Sequence, residues 1–132
     1  MDSKYILGID ELDSQHEEIE KLFIALQDAF EDEVQRKNLP EILESLREKL
    51  RFHFYAEESI MQVFAYPEFQ EHRRSHLEIL KSVDSFKATH LTRSDIDKIR
   101  DQPLQLFFEQ IISQDLRFSK FIQRNKERMG IA

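Results

Sequence analysis

Only two glycines and three prolines occur in 132 residues, and each proline stands near the start of a long stretch with helical periodicity. Pro40, Pro67 and Pro103 hold those positions, Gly8 lies in a short N-terminal arm over residues 1–12, and Gly130 follows the last periodic stretch. Proline at the beginning and glycine past the end mark helices, because a first turn leaves its amide hydrogens unused and a left-handed exit needs no side chain. No segment alternates apolar and polar residues, and no two-residue hairpin signal occurs, so sheet is not expected. With no repeat, linker or low-complexity run, the chain reads as one all-α domain over residues 1–132.

The periodicity predicts four helices. The first runs from about Asp13, as N-cap, to Arg36, with Ile19, Leu22, Phe23, Leu26 and Phe30 as its apolar stripe. Asn38 is expected to cap the second, whose stripe is Leu43, Leu46, Leu50, Phe54, Ile60 and Phe64. The third begins near Pro67 and carries Phe69, Ile79, Leu80, Val83 and Phe86. A polar stretch with one helical turn at Ser94–Arg100 precedes the fourth, about Pro103 to Met129, where Leu104, Phe107, Ile111, Phe118 and Ile122 face inward. Short connections between long amphipathic helices force antiparallel neighbours. The expected architecture is an up-down-up-down four-helix bundle with a short N-terminal arm.

Polar residues interrupt these stripes at core positions. Leu46, Leu50, His53, Glu57, Ile60 and Phe64 advance by 4, 3, 4, 3 and 4, which puts His53 and Glu57 on the core line one turn apart. In the third helix Phe69, His72, His76, Ile79, Val83 and Phe86 advance by 3, 4, 3, 4 and 3. His16 lies three residues before Ile19, and Asp115 three before Phe118, each on an inward face. A single inward histidine is ordinarily a hydrogen-bonded core residue. Four histidines and two carboxylates converging on one interior are different, since each must be hydrogen-bonded, neutralised or coordinated. Metal ions supply the missing positive charge, and the i,i+4 pairs His53/Glu57 and His72/His76 offer two ligands from one helix face.

Composition narrows the metal and the partners. The chain has no cysteine, which excludes a disulfide framework, thiolate zinc, iron–sulfur clusters and a cysteine nucleophile. Imidazole with carboxylate suits iron, zinc, manganese or copper and disfavours calcium and magnesium. Six donors are too many for one tetrahedral zinc but suit two metals bridged by carboxylates. The ferritin-like di-iron pattern needs two Glu-x-x-His pairs, and only Asp13/His16 has that spacing here. Nineteen basic against twenty-six acidic residues leave a net charge of −7, which repels nucleic acid and anionic membranes. No apolar run approaches the ~18–20 residues of a membrane span, and no basic-then-apolar leader opens the chain, so a cytoplasmic location is expected.

Three segments, in order, resemble the hemerythrin family in its single-domain bacterial form. LGIDELDSQHEEIEKLF (residues 7–23) is similar to the family's first-helix motif, with His16 at its metal position. HFYAEESIMQVFAYPEFQEHRRSH (residues 53–76) is similar to its most specific signature, with Glu58, Met61, Tyr66 and Pro67 at the expected offsets. QIISQDLRF (residues 110–118) resembles its terminal His-Ile-x-x-x-Asp segment, with Gln110 in the histidine's place. The family tryptophan before it is Leu106. A rival register, with Asp115 at the histidine and Lys120 at the aspartate, sets an ammonium against the metals and loses the match at Phe118.

The resemblance implies a non-heme di-iron centre, oxo- or hydroxo-bridged. His16 and His53 would hold one iron with an open position, His72 and His76 the second, and Glu57 and Asp115 would bridge both. Gln110 would be a weak ligand to the second iron or bond a water beside it, so that iron is expected to bind less tightly. The implied function is reversible dioxygen binding for storage, delivery or sensing, the last through a separate protein partner. The alternatives are a redox enzyme acting on peroxide or another small oxidant, or a metal-binding module without oxygen chemistry; another diatomic ligand fits the first class equally.

Overall fold

A computed structural model describes residues 2–87 and 89–128. Among them the regular elements are all helical, α1 (Asp10–Glu31), α2 (Leu39–Val63), α3 (Phe69–Asp84), α4 (Arg93–Ile99), α5 (Gln105–Gln110) and α6 (Leu116–Arg128), with 3₁₀ turns at Ser3–Tyr5 and Arg36–Asn38. Two π-helical segments, Arg100–Leu104 and Ile111–Asp115, join α4 to α5 and α5 to α6, so α4 through α6 form one continuous limb. With α1, α2 and α3 this limb completes the expected antiparallel four-helix bundle. The expected ends at Met129 and Gly130 lie outside the described residues.

The core follows the stripes. Ile19, Phe23 and Leu26 of α1, Leu43, Leu46 and Leu50 of α2, Ile79 and Val83 of α3, and Phe107, Ile111, Phe118 and Ile122 of the last limb are all buried. Each such side chain contributes about 1.5–3 kcal/mol of hydrophobic free energy. On α2 the stripe drifts: Met61 is fully buried while Ile60 is only partly so, because 3.6 residues per turn falls out of step with a 3.5 repeat.

Local chemistry sets the connections differently from expectation in several places. α1 starts at Asp10, and Asp13 does not cap it; its carboxylate accepts the Leu7 and Gly8 amides at 2.8 and 3.0 Å, pinning the arm back on the helix. Gly8 has φ +87°, which an L side chain would resist. α1 ends at Glu31, short of Arg36. Asn38 occupies the N-cap position of α2 but its side chain donates to Gln35 instead, at 2.8 Å. Pro40 does sit in the first turn of α2, whereas Pro67 lies two residues ahead of α3.

α2 closes with Tyr66 N–H to Met61 C=O at 2.9 Å and Ala65 N–H to Gln62 C=O at 3.2 Å, with Ala65 left-handed at φ 51°. That is a Schellman motif with alanine where glycine is usual. It fixes α3 against α2. Arg47 ties the other end of this pair, its guanidinium donating to the Val83 carbonyl in the last turn of α3 and to the Phe86 carbonyl just beyond it.

The largest departure concerns Pro103. It does not begin a helix but lies buried inside the π-helical segment Arg100–Leu104. The limb begins instead at Arg93, behind a capping box in which Thr92 and Asp95 satisfy each other's amides.

Candidate metal centre

All four bundle limbs send one or two polar side chains to a single point. His16 comes from α1, His53 and Glu57 from α2, His72 and His76 from α3, and Asp115 from the end of the second π-helical segment. Each is 2% exposed or less. Lys120 is exposed, so the placement agrees with the register that sets Asp115 inward.

The donor atoms form two groups, His16/His53/Glu57/Asp115 and Glu57/His72/His76/Asp115, each with ligand atoms within 4.8 Å of one another. Glu57 and Asp115 belong to both. Glu57 Oε2 lies 3.3 Å from His53 Nε2, while its Oε1 lies 2.6 Å from His72 Nε2 and 3.4 Å from His76 Nε2. Asp115 divides likewise, Oδ2 lying 3.4 Å from His16 Nε2 and Oδ1 2.6 Å from His72 Nε2. Each carboxylate therefore turns one oxygen to each group, as a bridging carboxylate must.

Hydrogen bonding alone does not account for this packing. His16 Nε2 and His53 Nε2 share one hydrogen bond at 2.9 Å, but His76 Nε2 and Asp115 Oδ2 have no hydrogen-bond partner though fully buried. Buried polar atoms left without a partner are costly. Metal–ligand bonds of ~2.0–2.2 Å set neighbouring ligand atoms roughly 3 Å apart, and the contacts here span 2.6–3.4 Å. The donor set fits metal ions.

Protonation states bear the same imprint. Burial holds His53 below its ordinary 6.5, which favours the neutral ring a metal needs. Burial would push His72 down too, but Asp115 and Glu57 outweigh it and lift it to about 9. His76 is raised against its burial by Glu57 and Glu58. Burial would raise Glu57, but the close His53, His72 and His76 rings outweigh it and hold the carboxylate well below 4.5.

Two supporting residues were not singled out for this role by spacing. Gln15 Oε1 accepts from His53 Nδ1 at 2.7 Å, and Glu58 Oε2 stands 2.9 Å from His76 Nδ1. Such partners fix the ring and leave Nε2 as the inward donor. Phe54 stacks on His76 at 4.0 Å, and Phe107 meets His16 edge-on at 5.5 Å, so the histidine rings are walled by phenyl groups. Tyr5 reaches the bundle by packing on Phe108.

Gln110 is brought to the same helix face as Asp115 by the π-helical segment between them. Five residues advance an α-helix by about 500°, well off one face, but a wider i→i+5 turn nearly realigns them. Gln110 is 4% exposed, neither amide atom has a partner, and the side chain lines a cavity of about 160 Å³. His90, which the sequence leaves in a polar stretch, is exposed.

An all-α bundle that turns two carboxylate-linked donor groups inward has the build of a non-heme metal protein. The family model for the hemerythrin HHE cation binding domain matches residues 7–122, and the chain belongs to the hemerythrin family. A bacteriohemerythrin of Stenotrophomonas maltophilia (strain R551-3) is 27% identical over 114 residues, covering 86% of this chain and 74% of that protein. No solved structure gives a significant match. The family carries a non-heme metal centre, usually of two irons, and binds dioxygen. Among the described residues no helix is long and apolar enough to cross a membrane.

Proposed function

We propose that this chain holds two iron ions and binds dioxygen reversibly. His16 and His53 would hold one iron and His72 and His76 the other, with Glu57 and Asp115 shared. The observation that carries the reading is the division of each carboxylate's two oxygens between the two donor groups. When bound, a ferrous pair supplies the electrons that hold dioxygen.

The chain's own residues do the rest. Glu57 and Asp115 balance the metals' charge and fix their separation. Gln15 and Glu58 hold the His53 and His76 rings in orientation through Nδ1. Phe54 and Phe107 exclude water, which protects a bound oxidant from proton delivery on the His16/His53 side. Gln110 offers an amide where an imidazole would be the stronger donor, so the His72/His76 iron should bind less tightly.

The visible spectrum of the iron-loaded protein, cycled between nitrogen and air, tests this. A colour change that reverses over repeated cycles is expected. Irreversible bleaching would favour the second reading, turnover of peroxide or another small oxidant, which the polar cavity at Gln110 supports. No response would overturn both. Gln110→His should raise iron affinity at the weaker site and slow loss of the oxygenated colour; unchanged stoichiometry and spectrum would remove Gln110 from the centre.

A further inference from the structure

The seam between α3 and the α5–α6 limb is not sealed by apolar packing. It holds the cavity of about 160 Å³ lined by Ser75, Glu78, Leu106, Glu109, Gln110 and Gln114, among others. Leu106, Glu78 and Glu109 are exposed, while Gln110 is buried with both amide atoms unpartnered. The buried Gln114 carbonyl oxygen is unpartnered too, and Gln114 also lines a void of about 10 Å³ that His72 touches. That void has room for about one water. Gln114 thus borders both voids, the outer one lined by the unpartnered Gln110 amide and the inner one by His72.

We propose that this cavity is a polar portal admitting a small neutral hydrogen-bonding molecule, of the hydrogen peroxide class, to the His72/His76 side of the centre. The proposal rests on the reading of the centre given above and names a ligand class for it. An apolar molecule such as dioxygen gains nothing from paired amides. Peroxide carries two O–H donors and four lone pairs, which match the acceptor and donor atoms of Gln110 and the acceptor of Gln114.

Charge selects within that class. Glu109 receives only the neutral Gln105 amide, at 3.4 Å. Among the described residues neither Glu78 nor Glu109 forms an ion pair. Two uncompensated carboxylates on a chain of net charge −7 repel anions from the portal.

The chain lacks cysteine, so one introduced thiol reports access without background. Gln114→Cys, loaded with redox-inert zinc, is treated with hydrogen peroxide, with neutral methyl methanethiosulfonate and with its anionic sulfonatoethyl analogue. In the peroxide arm the thiolate attacks one oxygen, the O–O bond breaks, hydroxide leaves and a sulfenic acid forms. Rates are divided by those of free cysteine and compared as ratios, which cancels the thiolate fraction. Peroxide and the neutral reagent should react at least tenfold faster than the anion, and Leu106→Trp, added at the mouth, should slow both at least tenfold. Ser75→Cys repeats the measurement if Gln114→Cys does not fold. A thiol inert to every reagent, equal neutral and anionic rates, or no effect of Leu106→Trp would overturn the portal. Failure of the chain to take up metal would instead sink the di-iron reading, and the thiol rates of the metal-free chain would still judge the portal.

Discussion

Two carboxylate oxygens stand 2.6 Å from His72 Nε2, and one ring hydrogen cannot serve both. Without metal the two negative carboxylates favour the charged ring, so against its burial His72 is lifted to about 9. Its contribution to stability is then complete below the ordinary 6.5 and is lost as pH rises through about 9. Glu57 is depressed, so its contribution is present above 4.5 and lost as pH falls through its lower folded value. For these two groups the metal-free chain is fully supported between 4.5 and 6.5. Metal must displace the His72 proton, so uptake at neutral pH should release protons. Apparent affinity should rise between pH 7 and 9 by about tenfold per unit for each proton displaced. Zinc addition in weakly buffered solution with a pH indicator measures this, and uptake without acidification would contradict it. The inward histidines and carboxylates were legible because each replaces an apolar residue on a heptad-like line. Gln15 was not, because it stands one residue off that line and reaches the ring sideways; Glu58, equally off the line, was marked only by its offset in the family signature.

The helices themselves carry a second layer of specification. The last limb looks like a loop and a helix in the sequence, since Pro103 normally marks a first turn. A π-helical segment accommodates it instead, where the widened backbone has less need of the missing amide. Apolar spacing does not reveal this, because Phe107, Ile111, Asp115, Phe118 and Ile122 fit an α-helical period equally well. The second segment, Ile111–Asp115, matters more, since it aligns Gln110 with Asp115. A π turn amounts to one inserted residue. Deleting Ile112, which is 45% exposed, should restore an α-helix and keep Asp115 on the Gln110 face, since four α-helical residues advance about 400°. Circular dichroism should show helicity retained, and metal uptake should survive. Loss of metal with helicity intact would mean that the π turn does more than align these two residues.

Over the whole molecule, metal at the proposed centre would couple site and fold. Glu57 and Asp115 are fully buried, and ions would supply positive charge beside both. An unpaired buried carboxylate costs several kcal/mol, and any ligand bound only by the folded state adds its binding free energy to stability. Chelation at neutral pH should therefore lower the melting temperature by roughly 10 °C or more, at about 2–4 °C or somewhat more per kcal/mol for a chain of this size. Superimposable melts with and without chelator would show that the donor groups are inert polar core. The bundle was legible from its stripes and its scarce glycine and proline. The cavity on the α3 seam was not, because a void depends on how side chains of two distant segments pack.

The count of metals decides the central claim. Anaerobic titration of the metal-free chain with ferrous iron, read as iron per chain, should reach two and do so in two steps. On the proposed reading the weaker step would belong to the His72/His76 side, where Gln110 would replace an imidazole. One equivalent or less at saturation would contradict the shared-carboxylate centre outright.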